Sequence, residues 1–192
     1  MCGIVGIFLK DKSLEPKLGA MLSQMLVTLS DRGPDSAGIA IYGGGDAGKG
    51  KITVQSSVPE EDFPKLDTEL GKALGADITV RTKSTHAVIE LPVDKIEEAR
   101  AILTKLRPRL RVMSAGSSVE IYKEVGLPEK VVERFDISSM AGSHGIGHTR
   151  MATESAVTTL GAHPFSTGAD QCLVHNGSLS NHNNLRRDLS RE

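Results

Sequence analysis

Apolar residues in this chain fall into short runs and regular stripes, and these predict strands alternating with helices. Residues 3–9 (GIVGIFL) are almost continuously apolar and predict a buried strand, with Gly6 allowing close backbone approach. Leu18, Met21, Leu22, Met25, Leu26 and Leu29 then recur at three- and four-residue steps, which is the stripe of an amphipathic helix. Ser13 is its candidate N-cap, and Gly33-Pro34 ends it. Residues 39–42 and 52–55 predict two strands, joined as a hairpin across the glycine-rich loop 43–50. Residues 59–75 predict a helix with Phe63, Leu66, Leu70 and Leu74 on one face and Gly75 just past its end.

From about Asp77 the pattern changes. Residues 78–81 and 86–91 predict strands, and 94–107 a helix with Ile96, Ala99, Leu103 and Leu106 facing inward. Residues 110–113 and 118–122 predict further strands, and 128–134 a short helix. This β-α-β pattern can close a small core of its own. Residues 77–137 are therefore expected to form a subdomain inserted into a main fold made of 1–76 and 138–192. The insert shows no catalytic pattern, and its lone His86 reads as structural.

Composition narrows the function classes. A net charge of −1 gives no electrostatic case for nucleic acid or an anionic membrane. Aromatic residues are 3% of the chain, with no Trp, which argues against base-stacking platforms. Cys2 and Cys172 make no disulfide framework, and no signal peptide or membrane span is evident. A cytoplasmic protein is expected. Gly43, Gly48 and Lys49 match the spacing of a phosphate-binding loop, but Gly50 replaces the required Ser or Thr and a strand follows where a helix should open. His144, His148, His163, His175 and His182 do not fit a metal motif, because Gly145 and Gly147 disfavour a ligand-bearing helix and no acidic ligand accompanies them. No metal and no cofactor are expected.

Three polar stretches carry candidate chemistry. Cys2 follows the initiator Met1, so removal of Met1 would leave one residue with both a thiol and a free amine. A thiol titrates near 8.5 and an α-amine at about 7.7–8.0, so the amine can serve as the thiol's general base. The plainer reading is a small apolar residue opening a strand. Arg150 ends the strand-like segment 145–150, where an Arg can clamp a carboxylate through two parallel bonds; alone, it could equally be a surface ion-pair partner. Asn176-Gly177 follows the apolar strand 172–175. The Asn amide and the Gly N–H could converge as an oxyanion hole, or the pair could simply turn the chain. The loop 31–38 (DRGPDSAG) delivers Arg32 and Asp35 to the mouth of a strand, where sites are often built.

Taken in order, MCGIVGIF, RGPDSAG, GHTRMAT, AHPF and LVHNGSLSNHNNLR resemble the class II glutamine amidotransferases, which are N-terminal nucleophile hydrolases. The resemblance covers residues 1–43 and 143–187. It implies an α+β fold, a four-layer α/β/β/α sandwich of antiparallel sheets. It also implies hydrolysis of L-glutamine to glutamate and ammonia, with ammonia passed to a synthase subunit or downstream domain. By matched motif, Cys2 is the nucleophile and its amine the base, while Asn176 and Gly177 form the oxyanion hole. Arg150 binds the glutamine α-carboxylate, Arg32 and Asp35 shape the site, and Thr153 and His163 flank the substrate. The family's acidic residue for the substrate α-amine is not matched: Asp188 comes too early, in the helix-like stretch 181–190. The chain is therefore expected to be the N-terminal part of a longer protein. The stand-alone chain and the insert look most like subunits of glutamate synthase-like enzymes, including N-methylglutamate synthase. The alternatives are another N-terminal nucleophile amide hydrolase and a non-catalytic regulatory subunit.

Overall fold

The computed structural model describes residues 2–45, 47–152, 156–177 and 181–191. The chain opens with strand β1 (Gly3–Phe8) and helix α1 (Leu18–Thr28), followed by strands β2 (Ser36–Tyr42) and β3 (Lys49–Gln55). Helices α2 (Pro59–Asp62) and α3 (Leu66–Leu74) come next, then strands β4 (Thr79–Lys83) and β5 (His86–Pro92). After helix α4 (Ile96–Leu106) the chain forms β6 (Arg111–Gly116), β7 (Val119–Val125) and helix α5 (Pro128–Phe135). Strand β8 (His144–Arg150), the short strands β9 (Phe165–Gly168) and β10 (Gln171–Leu173), and helix α6 (His182–Leu189) complete it.

The strands form two four-stranded sheets, ordered β1-β8-β2-β7 and β4-β5-β3-β6, and a β9–β10 hairpin. Their described pairings are antiparallel, so the architecture is α+β with antiparallel sheets. One face of the first sheet buries Val5, Ile39, Ile41 and Tyr122 against Leu18, Leu22 and Leu26 of α1 and Phe135 of α5. Of the stripe read from sequence, Leu18, Leu22, Leu26 and Leu29 pack here, whereas Met25 is exposed. The second sheet buries Ile52, Val54 and Ile89 against Leu66, Leu70 and Leu103 of its helices. Its other face meets the β7 edge of the first sheet through a buried polar cluster. There Glu120 accepts from Lys51 Nζ at 2.7 Å, from Tyr122 at 2.6 Å and from Arg81 at 3.1 Å. A buried carboxylate with three donors is compensated, where a lone one would be costly. The opposite face of the first sheet carries the β9–β10 hairpin, whose Cys172 packs against the cluster of Ala40, Met113, Val119 and Ile121 and accepts from the Tyr42 hydroxyl at 3.2 Å. The described residues therefore do not complete a four-layer stack.

Four local expectations change. Ser13 is not the cap: its N–H donates to Asp11 Oδ1 at 2.9 Å, and residues 12–17 form a 3-10 turn before α1. The helix over 59–75 is broken between α2 and α3, where Pro64 supplies no N–H and Lys65 takes the left-handed conformation at φ 58°. Gly75 does end α3, in the left-handed conformation at φ 62°. Strands β2 and β3 are not a hairpin; each is central to a different sheet, and the loop between them carries the chain across. Nor do residues 77–137 close a core of their own. Strands β4, β5 and β6 assemble with β3, and β7 pairs with β2 from Ser36↔Val125 to Tyr42↔Val119. A boundary at 76/77 would cut through the core shared by Leu66, Leu70, Ile89 and Leu103.

Candidate active site at one end of the first sheet

Three strand ends meet where the candidate residues lie. The register sets Gly3 opposite Thr149 and Ser36 opposite Arg150. Cys2, just before β1, Asp35, just before β2, and Arg150, the last residue of β8, therefore share one end of the sheet. The contacts there are specific. Asp35 N–H donates to the Arg150 carbonyl at 3.0 Å, and Asp35 Oδ2 accepts from Ala152 N–H at 2.7 Å. Asp35 thus fixes the chain leaving β8 from both sides. Gly33 permits this approach: a Cβ there would lie 2.5 Å from the Arg150 nitrogen. Cys2 Sγ lies 3.9 Å from the Met151 carbonyl oxygen. From the far end of the sequence, Asn176 Nδ2 donates to the Cys2 carbonyl at 3.0 Å.

Arg150 is half-buried, and its Nη1 donates to the Ala156 carbonyl at 3.4 Å. Gly177 is exposed beside Asn176, and strand β10 stops at Leu173, short of the predicted His175. Arg32 is exposed in a 3-10 turn, Ser30–Arg32. Thr153 lies outside the described residues. His163 does not sit beside Cys2 by any described hydrogen bond; its ring packs 4.3 Å from that of His148 and 4.5 Å from that of Phe165, centroid to centroid. Burial first, and then His148, Lys123 and Arg150 nearby, push His163 down to about 4, so the ring is neutral at neutral pH.

Two residues that the sequence reading did not assign to the site support it. Lys123 on β7 is buried, and its Nζ donates to the carbonyls of Ala162 at 2.7 Å and Pro164 at 3.1 Å. The Phe165 ring lies 4.4 Å from the same ammonium. Burial lowers Lys123 to about 8. His148 on β8 is fully buried, with Nε2 3.0 Å from the His175 carbonyl oxygen. The signal for Lys123 was present in its strand: Val119, Ile121 and Lys123 share one face, so a charge stands in an apolar row. Among the described residues, no group of three or more His, Cys, Asp or Glu side chains is placed to hold a metal ion. No helix among them is long and apolar enough to cross a membrane.

A cysteine at a sheet end, an amide donor on its carbonyl and an arginine one strand away thus come together at one place. Comparison with known proteins adds to this geometry. The chain is 67% identical over 192 residues to the glutamine amidotransferase-like protein GlxB of Rhizobium meliloti (strain 1021), covering 100% of this chain and 64% of that protein. It is 33% identical over 202 aligned residues to a Methanothermobacter thermautotrophicus protein named provisionally as a glutamine amidotransferase, covering 100% of this chain and 66% of the relative. The isomerizing glutamine–fructose-6-phosphate aminotransferase of Idiomarina loihiensis is 32% identical over 81 residues, 42% of this chain and 13% of that protein. No family model matches. Similarity along its whole length to the first two relatives bears out the resemblance to the class II glutamine amidotransferases, and the chain spans just under two thirds of the length of each.

Proposed function

We propose that this chain carries a glutaminase site that hydrolyses L-glutamine to L-glutamate and ammonia, with Cys2 as the nucleophile. The observation that carries the reading is the 3.0 Å bond from Asn176 Nδ2 to the Cys2 carbonyl, which brings the candidate oxyanion donor to the candidate nucleophile from 174 residues away. With Met1 removed, the Cys2 α-amine takes the thiol proton as sulfur attacks the amide carbon of glutamine. The oxyanion so formed is stabilised by Asn176 Nδ2–H, swung from the Cys2 carbonyl, and by Gly177 N–H. The C–N bond breaks, the amine returns its proton to the departing nitrogen, and ammonia leaves a glutamyl thioester. Water then cleaves the thioester, releasing glutamate and restoring the thiol. Arg150 binds the substrate α-carboxylate, Thr153 and His163 flank the substrate, and Asp35 and Arg32 shape the loop behind it.

The finer reading extends beyond the described residues. The site belongs to a four-layer N-terminal nucleophile fold, in a cytoplasmic protein. Ammonia passes to a glutamate synthase-like partner. The test uses the full-length protein in complex with any co-purifying partner. Intact mass should show Met1 removed, glutamine should yield ammonia and glutamate in equal amounts, and Cys2→Ala should abolish both while leaving ammonia-dependent synthesis by the partner intact. Glutamine hydrolysis by Cys2→Ala at a near-parental rate would place the nucleophile elsewhere.

A further inference from the structure

His148 is fully buried and in contact with the carbonyl that precedes Asn176, and nothing in the proposed reaction employs it. A carbonyl oxygen only accepts, so the 3.0 Å contact with His175 O requires the proton on His148 Nε2. His148 Nδ1 is buried without a hydrogen-bond partner among the described residues. The opposite tautomer would set a nitrogen lone pair against the carbonyl and gain nothing at Nδ1. The bond therefore has one donor direction. It also has leverage on the site, because His175 C=O and Asn176 N–H belong to one planar peptide unit. Fixing that oxygen fixes the plane from which the Asn176 side chain and the Gly177 N–H project.

The ring itself is held from behind. Ile4, His148, Gly38 and Lys123 lie side by side in one row across β1, β8, β2 and β7. Gly38 leaves a shallow place in that row: a Cβ there would lie 2.3 Å from the His163 carbonyl oxygen. The 162–164 segment settles into it, with Lys123 Nζ holding the Ala162 and Pro164 carbonyls on one side and the His163 ring lying on His148 on the other. Burial lowers the pKa of His148, which outweighs the bond to the His175 carbonyl and keeps the ring neutral at neutral pH.

We propose that His148, braced by His163, is a positioning residue that holds the His175 carbonyl and thereby aims the Asn176 and Gly177 donors at the oxyanion; this rests on the glutaminase reading. A core histidine that merely fills space makes a different prediction from a donor. His148→Phe keeps the ring volume and the stacking but removes the donor; His148→Gln restores an N–H of similar reach. In the full-length protein, His148→Phe should lower kcat for glutamine by about 10- to 100-fold with KM changed less than about threefold, as expected for support of a transition-state donor. His148→Gln should recover most of the loss. In an Asn176→Ala background, His148→Phe should cost little more, since both changes act through one donor. Amide hydrogen exchange on the same proteins reads the clamp without the reaction: the 171–177 segment, which includes the paired strand β10, should lose protection in His148→Phe and keep it in His148→Gln. Unchanged exchange in His148→Phe, additive costs in the double variant, or an effect confined to KM would overturn the proposal. An inactive parent protein with the expected exchange pattern would instead sink the glutaminase reading and leave the clamp standing.

Discussion

Asn176→Asp separates a catalytic amide from a turn residue. The substitution keeps the side-chain shape but replaces the Nδ2 donor with an oxygen, which is charged at neutral pH. In the resting structure that oxygen would face the Cys2 carbonyl oxygen across a 3.0 Å gap. Asn176 is exposed, so the side chain can turn to water and the folding cost should stay near 1 kcal/mol, the worth of an ordinary hydrogen bond. The cost in the reaction is larger. A tetrahedral intermediate concentrates charge on the former amide oxygen, and losing one donor to such a charge typically costs about 10²–10³ in kcat, or roughly 3–4 kcal/mol. A carboxylate in that position should fall at the upper end, since it repels the charge that the amide would stabilise. The expected result is a fall in kcat of at least about 100-fold with a smaller change in KM, in full-length protein whose melting temperature is little altered. Ammonia release from glutamine measures it, with melting followed in parallel. Asp before Gly suits a turn as well as Asn does. If the pair only turns the chain, the variant will fold and hydrolyse glutamine at close to the parental rate, and that result would refute the oxyanion role.

Three further outcomes are expected. Arg150→Lys keeps the charge but loses the planar fork, so it should raise KM for glutamine by the equivalent of about 1–3 kcal/mol while sparing kcat; an unchanged KM would remove Arg150 from the substrate clamp. Asp170 accepts from the backbone N–H groups of Ser117, Ser118 and Val119 at 2.8, 2.8 and 2.9 Å, and these bonds outweigh burial to hold its carboxyl at about 2. Asp170→Ala should therefore lower stability to urea by about 2–3 kcal/mol and loosen the β9–β10 hairpin, and a loss below about 0.5 kcal/mol would contradict the clamp. His86 is fully buried, and burial, only partly offset by Glu124, lowers it from 6.5 to about 4. Between those values the unfolded chain binds the proton and the folded chain does not, so stability falls as pH drops through that window, by roughly 3 kcal/mol for this one group. Urea unfolding at pH 7 and pH 4.5 should show a smaller acid loss in His86→Phe than in the parent, and an identical loss would exclude His86 as a source.

The local elements were legible because their signals are local. Leu18, Leu22 and Leu26 announce the buried face of α1, and Gly75 announces the end of α3. Cys2 and Arg150 stood out as candidates because each lies at a predicted strand end, and Asn176 because it precedes a glycine. What the pattern could not give was partnership. Nothing in residues 39–55 states that β2 and β3 belong to different sheets, because strand pairing is decided by contacts far away in sequence. The same blindness hid β7. By sequence it falls in the segment outside the resemblance; by pairing it is the edge of the sheet that bears Cys2. Its Glu120 closes the contact to the second sheet through Lys51, and its Lys123 holds the carbonyls beside His163. His163 in turn backs His148, which reaches the carbonyl before Asn176. A segment without a catalytic pattern of its own thus secures the loop that packs on His148, and Lys123 stands in an apolar row because its charge is satisfied by the carbonyls of that loop.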